Sequence, residues 1–295
     1  PDWVKYLLDP VFEKGYEFVA PVYVRHKYDG TITNNVVYNL TRSLYGKRIR
    51  QPIGGDFAFS GDLIKFYIDQ EVWETDVARF GIDIWLTTTA ITHNFRICQS
   101  NLGVKVHDAK DPAQHLGPMF RQVIWTIFFL MENYESAWKN INGSEPVETF
   151  GYAGNMEPEA VSVNLEGMIE NFKTGFRQFS VLWQEIFCED SFEQINKASK
   201  LDVSNFHFST DAWVQILYEL AATFHSWKIN RYKLIDLMTP LYYARVASFV
   251  KQSWNMTSLE AEELVEEQAM KFEKHKGYLI ARWDEKSGEL PEKNQ

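Results

Sequence analysis

Short clusters of polar residues and glycines in the first part of the chain have types and spacings that could do chemistry. One is Gln51-Pro52-Ile53-Gly54-Gly55-Asp56, in which a rigid proline precedes two glycines. Adjacent glycines allow positive φ and let a ligand approach bare backbone, and Asp56 adds a carboxylate. A tight turn before a strand explains the same residues, and composition alone favours that turn.

A second cluster spans residues 25–33 and reads Arg-His-Lys-Tyr-Asp-Gly-Thr-Ile-Thr. A planar guanidinium beside small hydroxyl groups at the start of a helix forms a receptor for a carboxylate or a phosphate. Arg25 and Thr33 are therefore candidate anion-binding residues. The alternative is a helix capped by Thr31 or Thr33 next to a solvated arginine, and the sequence does not separate the two.

Two further clusters each carry one titratable group. Asp83 falls at the beginning of an apolar helix, where it is either an N-cap or a carboxylate directed into a cleft. His107 ends an alternating segment, and a neutral imidazole there could bind a divalent cation, although a lone histidine is more often structural or exposed. Since no second His or Cys lies at a metal-site spacing, other ligands would have to come from elsewhere.

The elements that must position these clusters alternate between helix and strand. Phe18, Ala20, Val22 and Val24 alternate with other residues and are expected on one face of a strand. The patterns predict helices over 3–14, 32–45 (ended by Gly46), 60–67 and 82–93, and strands over 17–24, 57–59 and 96–107. Helices that alternate with strands predict an α/β layer structure for this region.

The remainder of the chain is predicted to be helical nearly throughout. Helical periodicity covers 119–138, 165–187, 211–227 and 241–254, with Pro240 at a first helical position. Thr257 and Glu260 have the spacing of a capping box before a last helix. Residues 1–120 carry 13 Lys and Arg against 14 Asp and Glu, whereas the rest carries 17 against 26. This asymmetry and the change of pattern near Pro118 predict two regions, 1–117 and 118–295.

Composition excludes several classes of function. The 295 residues have a formal net charge of −10 and no basic stripe interleaved with aromatics, so nucleic acid is not an expected partner. No membrane span and no leader are recognised, and only Cys98 and Cys188 are present, so we expect a cytoplasmic protein. Phosphate-binding glycine motifs, a Gly-x-Ser-x-Gly elbow, His-Glu-x-x-His and Asp-x-Asp are all absent from the sequence.

Taken in order, the clusters resemble the second half of the catalytic domain of retaining GT-A-type glycosyltransferases, specifically the mannosylglycerate and glucosyl-3-phosphoglycerate synthases. The matching segments are Asp29-Gly30-Thr31-Ile32-Thr33, Gln51-Pro52-Ile53-Gly54-Gly55-Asp56, Gly81-Ile82-Asp83 and the single residue His107. The resemblance covers residues 1–117. It implies a Rossmann-like half-domain followed by an all-helical region, and a donor-binding half that should precede Pro1, so we expect the fragment alone to be inactive.

The resemblance also implies a role for each residue. His107 would bind Mg²⁺ or Mn²⁺, Asp83 would orient the reacting groups, Gly54, Gly55 and Asp56 would approach the substrates, and Arg25 with Thr33 would hold the acceptor carboxylate. The expected reaction moves a hexose from a nucleotide sugar to a small hydroxy acid such as glycerate or phosphoglycerate, in compatible-solute synthesis. After His107 the chain continues Asp108-Ala109-Lys110, where the mannosylglycerate type has an aromatic acceptor contact nearby, so the acceptor stays open.

Two alternatives remain. The chain could be a non-catalytic helical interaction protein, in which the clusters are only turns and caps, or a GT-A transferase with a different acceptor. Self-association through the helical region is compatible with either. The geometry of the folded chain distinguishes an enzyme from a helical interaction protein, because the enzyme requires His107, Asp83, Arg25 and Gly54 around one cleft.

Overall fold

The computed structural model describes residues 2–105, 117–152 and 158–288, and within these ranges the chain is mostly helical with a small mixed sheet. Numbered in chain order, the strands are β1 (Phe18–Val24), β2 (Lys47–Arg48), β3 (Ala58–Phe59), β4 (Ile97–Val104), β5 (Glu145–Pro146) and β6 (Thr149–Gly151). The α-helices are α1 (Asp2–Lys14), α2 (Tyr38–Tyr45), α3 (Gly61–Ile68), α4 (Ile82–Thr92), α5 (Gly117–Asn133), α6 (Glu135–Lys139), α7 (Leu165–Ile186), α8 (Glu189–Ser199), α9 (Thr210–Ser226), α10 (Arg231–Gln252), α11 (Ser258–Lys274) and α12 (Lys276–Gly288). An α/β region followed by a helical region is therefore confirmed.

The chain forms two compact units. The first comprises the described residues of Pro1–Lys110 and Gln122–Ser162, and the second those of Asp111–Arg121 and Val163–Gln295. The boundary expected between residues 117 and 118 falls at the start of α5, and α5 contributes residues from Gln122 onward to the first unit.

The four-stranded sheet of the first unit has the order β3-β1-β4-β6. β1 pairs with β4 in parallel and β4 pairs with β6 in parallel, whereas β3 runs antiparallel to β1. A cluster of buried side chains holds α1 on this sheet through Leu7, Val19, Ala58, Cys98 and Leu102.

Both faces of β1 are covered, which differs from the expected one-sided strand. Phe18 and Val19 are each 0% exposed, although successive side chains point to opposite faces of a sheet. An interior strand with parallel pairing is covered on both sides, so polar and apolar residues do not alternate along it.

Helix ends in the first unit follow the sequence signals. Gly46 adopts a left-handed conformation with φ of 70° at the end of α2, and the Ser60 hydroxyl accepts a hydrogen bond from the Leu63 N–H at the start of α3. The helix predicted over 32–45 contains a π-helical segment, Thr33–Val37, that periodicity did not indicate. In the second unit the capping box of Thr257 and Glu260 is confirmed, with both reciprocal hydrogen bonds present.

Two predictions for the later part of the chain are wrong. Residues 145–151 form β5 and β6 instead of continuing a helical region, and β6 extends the sheet of the first unit. Strands of two and three residues are too short to show a period of two. Pro240 lies inside α10 instead of starting a helix. A Cβ on Gly175 of α7 would lie 2.3 Å from the Pro240 ring, so close packing of these two helices accommodates the proline.

Candidate functional site

The carboxyl ends of β1 and β4 meet at one edge of the sheet, because the two strands are adjacent and parallel. Tyr23 lies at the end of β1, and Lys105 directly follows β4, where its N–H donates to the Val24 carbonyl at 3.1 Å. β3 is antiparallel to β1, so the loop before β3 reaches the same edge. Ligands of α/β proteins commonly bind at the carboxyl ends of parallel strands.

The Gln51 side chain fixes this loop to β1. Its amide oxygen accepts from the Tyr23 N–H at 3.2 Å, and its amide nitrogen donates to the Tyr23 carbonyl at 2.7 Å. The Thr87 hydroxyl of α4 also donates to the Pro52 carbonyl at 2.8 Å. The loop is therefore held from two sides.

The two glycines of the loop have different reasons to be glycine. A Cβ on Gly54 would lie 2.2 Å from Cγ of Pro21, so only glycine lets the loop pack against β1. Gly55 has φ of 89°, and a Cβ there would meet nothing within 4 Å. The close backbone approach at Gly54 is thus made to the protein's own strand, whereas Gly55 is exposed.

Asp56, Tyr23 and Lys105 form a compact polar group. The Asp56 carboxylate accepts from the Tyr23 hydroxyl at 2.7 Å and pairs with the Lys105 ammonium at 2.6 Å. Lys105 Nζ also lies 4.2 Å from the centre of the Tyr23 ring. Burial raises the pKa of Asp56, but hydrogen bonds from Lys105 and Tyr23 outweigh it, so the pKa lies below the ordinary value. Burial and the bond to Asp56 raise the pKa of Tyr23.

Asp83 lies beside this group, in the first turn of α4. The N-cap of α4 is Gly81, so the interpretation of Asp83 as a helix cap is wrong. Burial, with a smaller contribution from Asp56, raises the pKa of Asp83 to about 6, while the Gly55 N–H and Lys105 lower it. A carboxyl group in this state is partly protonated near neutral pH and can both accept and donate hydrogen bonds.

Arg25 follows β1 and is largely buried, with 18% of its side chain exposed, so the alternative of a solvated arginine is wrong. Its Nη1 donates to Asp29 at a long 3.5 Å, and its Nε has no partner among the described residues. Burial lowers the pKa of Arg25, and Asp29 only partly offsets this effect. A Cβ on Gly30 would lie 3.4 Å from Arg25 Nη1 and 3.9 Å from Cβ of Thr33, so Gly30 lies between these two side chains.

A cavity of about 290 Å³ opens at this edge of the sheet, lined by Trp3, Tyr23, Asp56, Leu102, Val104 and Lys105. Sequence patterns missed Trp3, Tyr23 and Lys105 as site residues. The predicted strand runs to residue 107 and so includes Lys105, whereas β4 ends at Val104 and Lys105 follows it, where ligands commonly bind.

Of the predicted site residues, Asp56 lines this cavity, and its charge acts on both Arg25 and Asp83. The N–H of Gly55 acts on Asp83, Gly54 packs against Pro21 of β1, and Thr33 lies across Gly30 from Arg25. His107, the predicted metal ligand, lies outside the described residues. Among the residues that are described, no group of three His, Cys, Asp or Glu side chains could hold a metal ion.

No protein-family model matches the chain, and no curated protein matches it. In the part of the chain that the structure covers, no helix has the length and apolar character needed to cross a membrane.

Proposed function

We propose that this chain carries the acceptor side of a retaining GT-A-type glycosyltransferase, which moves a hexose from a nucleotide sugar to a small hydroxy acid such as glycerate or phosphoglycerate. The supporting observation is Arg25, a largely buried guanidinium whose Nε has no partner among the described residues. Such a group is completed by an anion, and a carboxylate can accept two parallel N–H bonds from a guanidinium.

The neighbours of Arg25 suit a hydroxy acid. Thr33 lies across Gly30 from the guanidinium and adds a hydroxyl, and Asp83 carries a carboxyl group whose pKa is raised to about 6. With the acceptor carboxylate on Arg25, Asp83 would orient the acceptor hydroxyl through a hydrogen bond. In same-face attack the leaving phosphate takes the acceptor proton, so Asp83 is an orienting group and no strong protein base is required.

Lys105 gives the cavity a positive wall whose position is fixed by Asp56 and Tyr23. A fixed cation suits the negative charge that develops on a departing nucleoside diphosphate. Trp3 and Tyr23 add aromatic surface on which a sugar ring can pack. The sugar and the departing diphosphate of the donor would therefore face this cavity, whereas the resemblance assigns donor binding itself to the other half of the domain.

The proposed Mg²⁺ or Mn²⁺ depends on residues that the structure does not describe. The described side chains do not form a metal site by themselves. The resemblance assigns the ligands to His107 and to aspartates of the donor-binding half.

The arrangement favours this proposal over a helical interaction protein, for which the polar clusters have no reason to meet. Arg25, Asp56 and Asp83 come from separate segments of the chain. The charge of Asp56 nevertheless acts on both Arg25 and Asp83. A transferase with a different anionic acceptor would use the same residues.

Titration calorimetry with D-glycerate, 3-phosphoglycerate and glycerol tests the acceptor site. We expect the two acids to bind and glycerol, which lacks a carboxylate, not to bind. Arg25→Met should weaken the binding of glycerate about 10- to 100-fold, because a hydrogen bond to a charged group contributes roughly 1.5–3 kcal/mol.

Arg177→Met is the matched control, since Arg177 is an exposed arginine of α7 that pairs with Glu170. Equal binding of glycerate and glycerol, or glycerate binding unaffected by Arg25→Met, would show that Arg25 is not an acceptor site. A screen of nucleotide sugars with glycerate and Mn²⁺, on a protein that includes the proposed donor-binding half, then tests transfer itself.

A further inference from the structure

Two arginines of the first unit converge on one serine hydroxyl away from the candidate site. Arg42 of α2 donates from Nε to Oγ of Ser144 at 3.2 Å. Arg48 of β2 donates from Nε to the same oxygen at 2.9 Å, and from Nη2 to the Ser144 carbonyl at 3.3 Å. Ser144 directly precedes β5, so three segments meet at this hydroxyl.

Both donors to this hydroxyl are guanidinium groups. Arg42 is only 3% exposed, and its Nη1 is held by the Tyr38 hydroxyl at 3.3 Å. A serine oxygen has two lone pairs, and the two guanidinium groups can use both. An anion at the same position would add the attraction of opposite charges to these bonds, and guanidinium groups match the geometry of a phosphate.

The flanking residues leave Ser144 open to modification. Asn142, Gly143, Glu145 and Pro146 are exposed, and Ser144 is half-buried. Gly143 has φ of 95°, and a Cβ there would meet nothing within 4 Å. The hydroxyl therefore lies on an accessible connection, while the two guanidinium groups are already in place behind it.

We propose that Ser144 is a phosphorylation site whose phosphate is held by Arg42 and Arg48. A protein kinase would transfer the γ-phosphoryl group of a nucleoside triphosphate. A bond forms between Ser144 Oγ and phosphorus, the bond from phosphorus to the β–γ bridging oxygen breaks, the nucleoside diphosphate leaves, and the hydroxyl proton passes to a base of the kinase. The modified Ser144 side chain gains up to two negative charges and three acceptor oxygens beside the two arginines.

Such a phosphate would connect segments that lead into the candidate site. Two residues after Arg48 lies Arg50, whose N–H donates to Oε1 of Gln99 at 2.6 Å and whose Nη2 donates to Oδ1 of Asn34 at 2.7 Å. Holding Arg48 on a dianion would stiffen the approach to the loop that begins at Gln51. The proposed phosphorylation does not depend on the proposed transferase function.

The test uses the full chain with phosphoserine encoded at position 144, and a matched chain with phosphoserine at position 204. Ser204 is exposed, and its hydroxyl donates to the Asp202 carboxylate at 2.8 Å, so a phosphate there faces a negative charge. Phosphorus NMR titration gives the second pKa of each phosphate, which is ordinarily about 6. We expect the pKa at position 144 to be lower than that at position 204 by about one unit, a tenfold change in proton affinity.

Thermal unfolding and an Arg48 variant test whether any effect of the phosphate at position 144 depends on its contact with Arg48. The phosphate at position 144 should raise the melting temperature, and Arg48→Met should remove both the rise and the pKa difference. A pKa at position 144 equal to that at 204, no response to Arg48→Met, or equal stabilisation of the unmodified chain by inorganic phosphate would overturn the proposal. Mass spectrometry of the chain from the cells that make it should find phosphate on the peptide that contains Ser144, and its consistent absence there would also overturn it.

Discussion

The backbone N–H of Gly55, in the loop before β3, acts on the carboxyl group of Asp83 in the first turn of α4 and lowers its pKa. Burial has the larger, opposite effect and leaves the pKa of Asp83 at about 6. The position of the loop before β3 therefore affects the charge state of Asp83.

Asp83→Asn should stabilise the chain at neutral and alkaline pH. Because the folded pKa is raised to about 6, the folded state keeps a proton that the unfolded chain releases from about pH 4 upward. The free energy of unfolding of the wild-type chain should fall as pH rises from about 4 to about 6, and the variant should lack this fall. In urea unfolding, the stability difference between the variant and the wild type should be larger at pH 7.5 than at pH 4 by up to about 2 kcal/mol. A difference independent of pH would contradict the raised pKa.

The neighbours of Asp83 should shift its pKa in opposite directions. Lys105→Met removes a cation that lowers the pKa and should raise it above about 6, whereas Asp56→Asn removes a carboxylate that raises it and should lower it. Carbon NMR titration of the Asp83 carboxyl group measures both shifts. Arg177→Met, on the exposed surface of α7, should leave this pKa unchanged. Shifts of the same sign in the two variants would show that the grouping around Asp83 is incorrect.

Local signals in the sequence predicted the elements well, because each is carried by a few adjacent residues. Gly46 ends α2 through its positive φ, Ser60 caps α3, and Thr257 with Glu260 caps α11. Pro240 shows the limit of such signals. A proline is tolerated inside α10 because Gly175 on another helix leaves room for its ring, and that partner is distant in sequence.

The candidate site was predictable only in part, for the same reason. Gly54, Gly55 and Asp56 attract attention because proline and glycine mark their loop. Tyr23 and Lys105 become neighbours only through the parallel pairing of β1 with β4, which no local pattern encodes. The same holds for the pKa of Asp83, which is set by burial and by residues of another loop.

Gly54→Ala should destabilise the chain strongly, whereas Gly61→Ala should not. A Cβ at position 54 would overlap the ring of Pro21 at 2.2 Å, and a Cβ at position 61 would meet nothing within 4 Å. Overpacking of this kind costs roughly 1–3 kcal/mol, and alanine at the start of α3 should be neutral or slightly stabilising. Chemical denaturation of both variants provides the measurement. If Gly54→Ala is as stable as Gly61→Ala, the loop does not pack against β1 as described.

Gln51→Leu should release the loop from β1. Gln51 is 6% exposed, and its amide pairs with both the N–H and the carbonyl of Tyr23, so leucine would leave two backbone groups without these partners. An unpaired buried group costs roughly 1–3 kcal/mol. We expect a loss of about 2 kcal/mol in unfolding free energy, together with faster amide hydrogen exchange at Tyr23 and Gly55. Gln51→Glu separates the two bonds: its carboxylate can still accept from the Tyr23 N–H but repels the Tyr23 carbonyl, so exchange at Tyr23 should stay slower than in Gln51→Leu. Equal exchange in the two variants would mean that the amide oxygen of Gln51 does not protect this N–H.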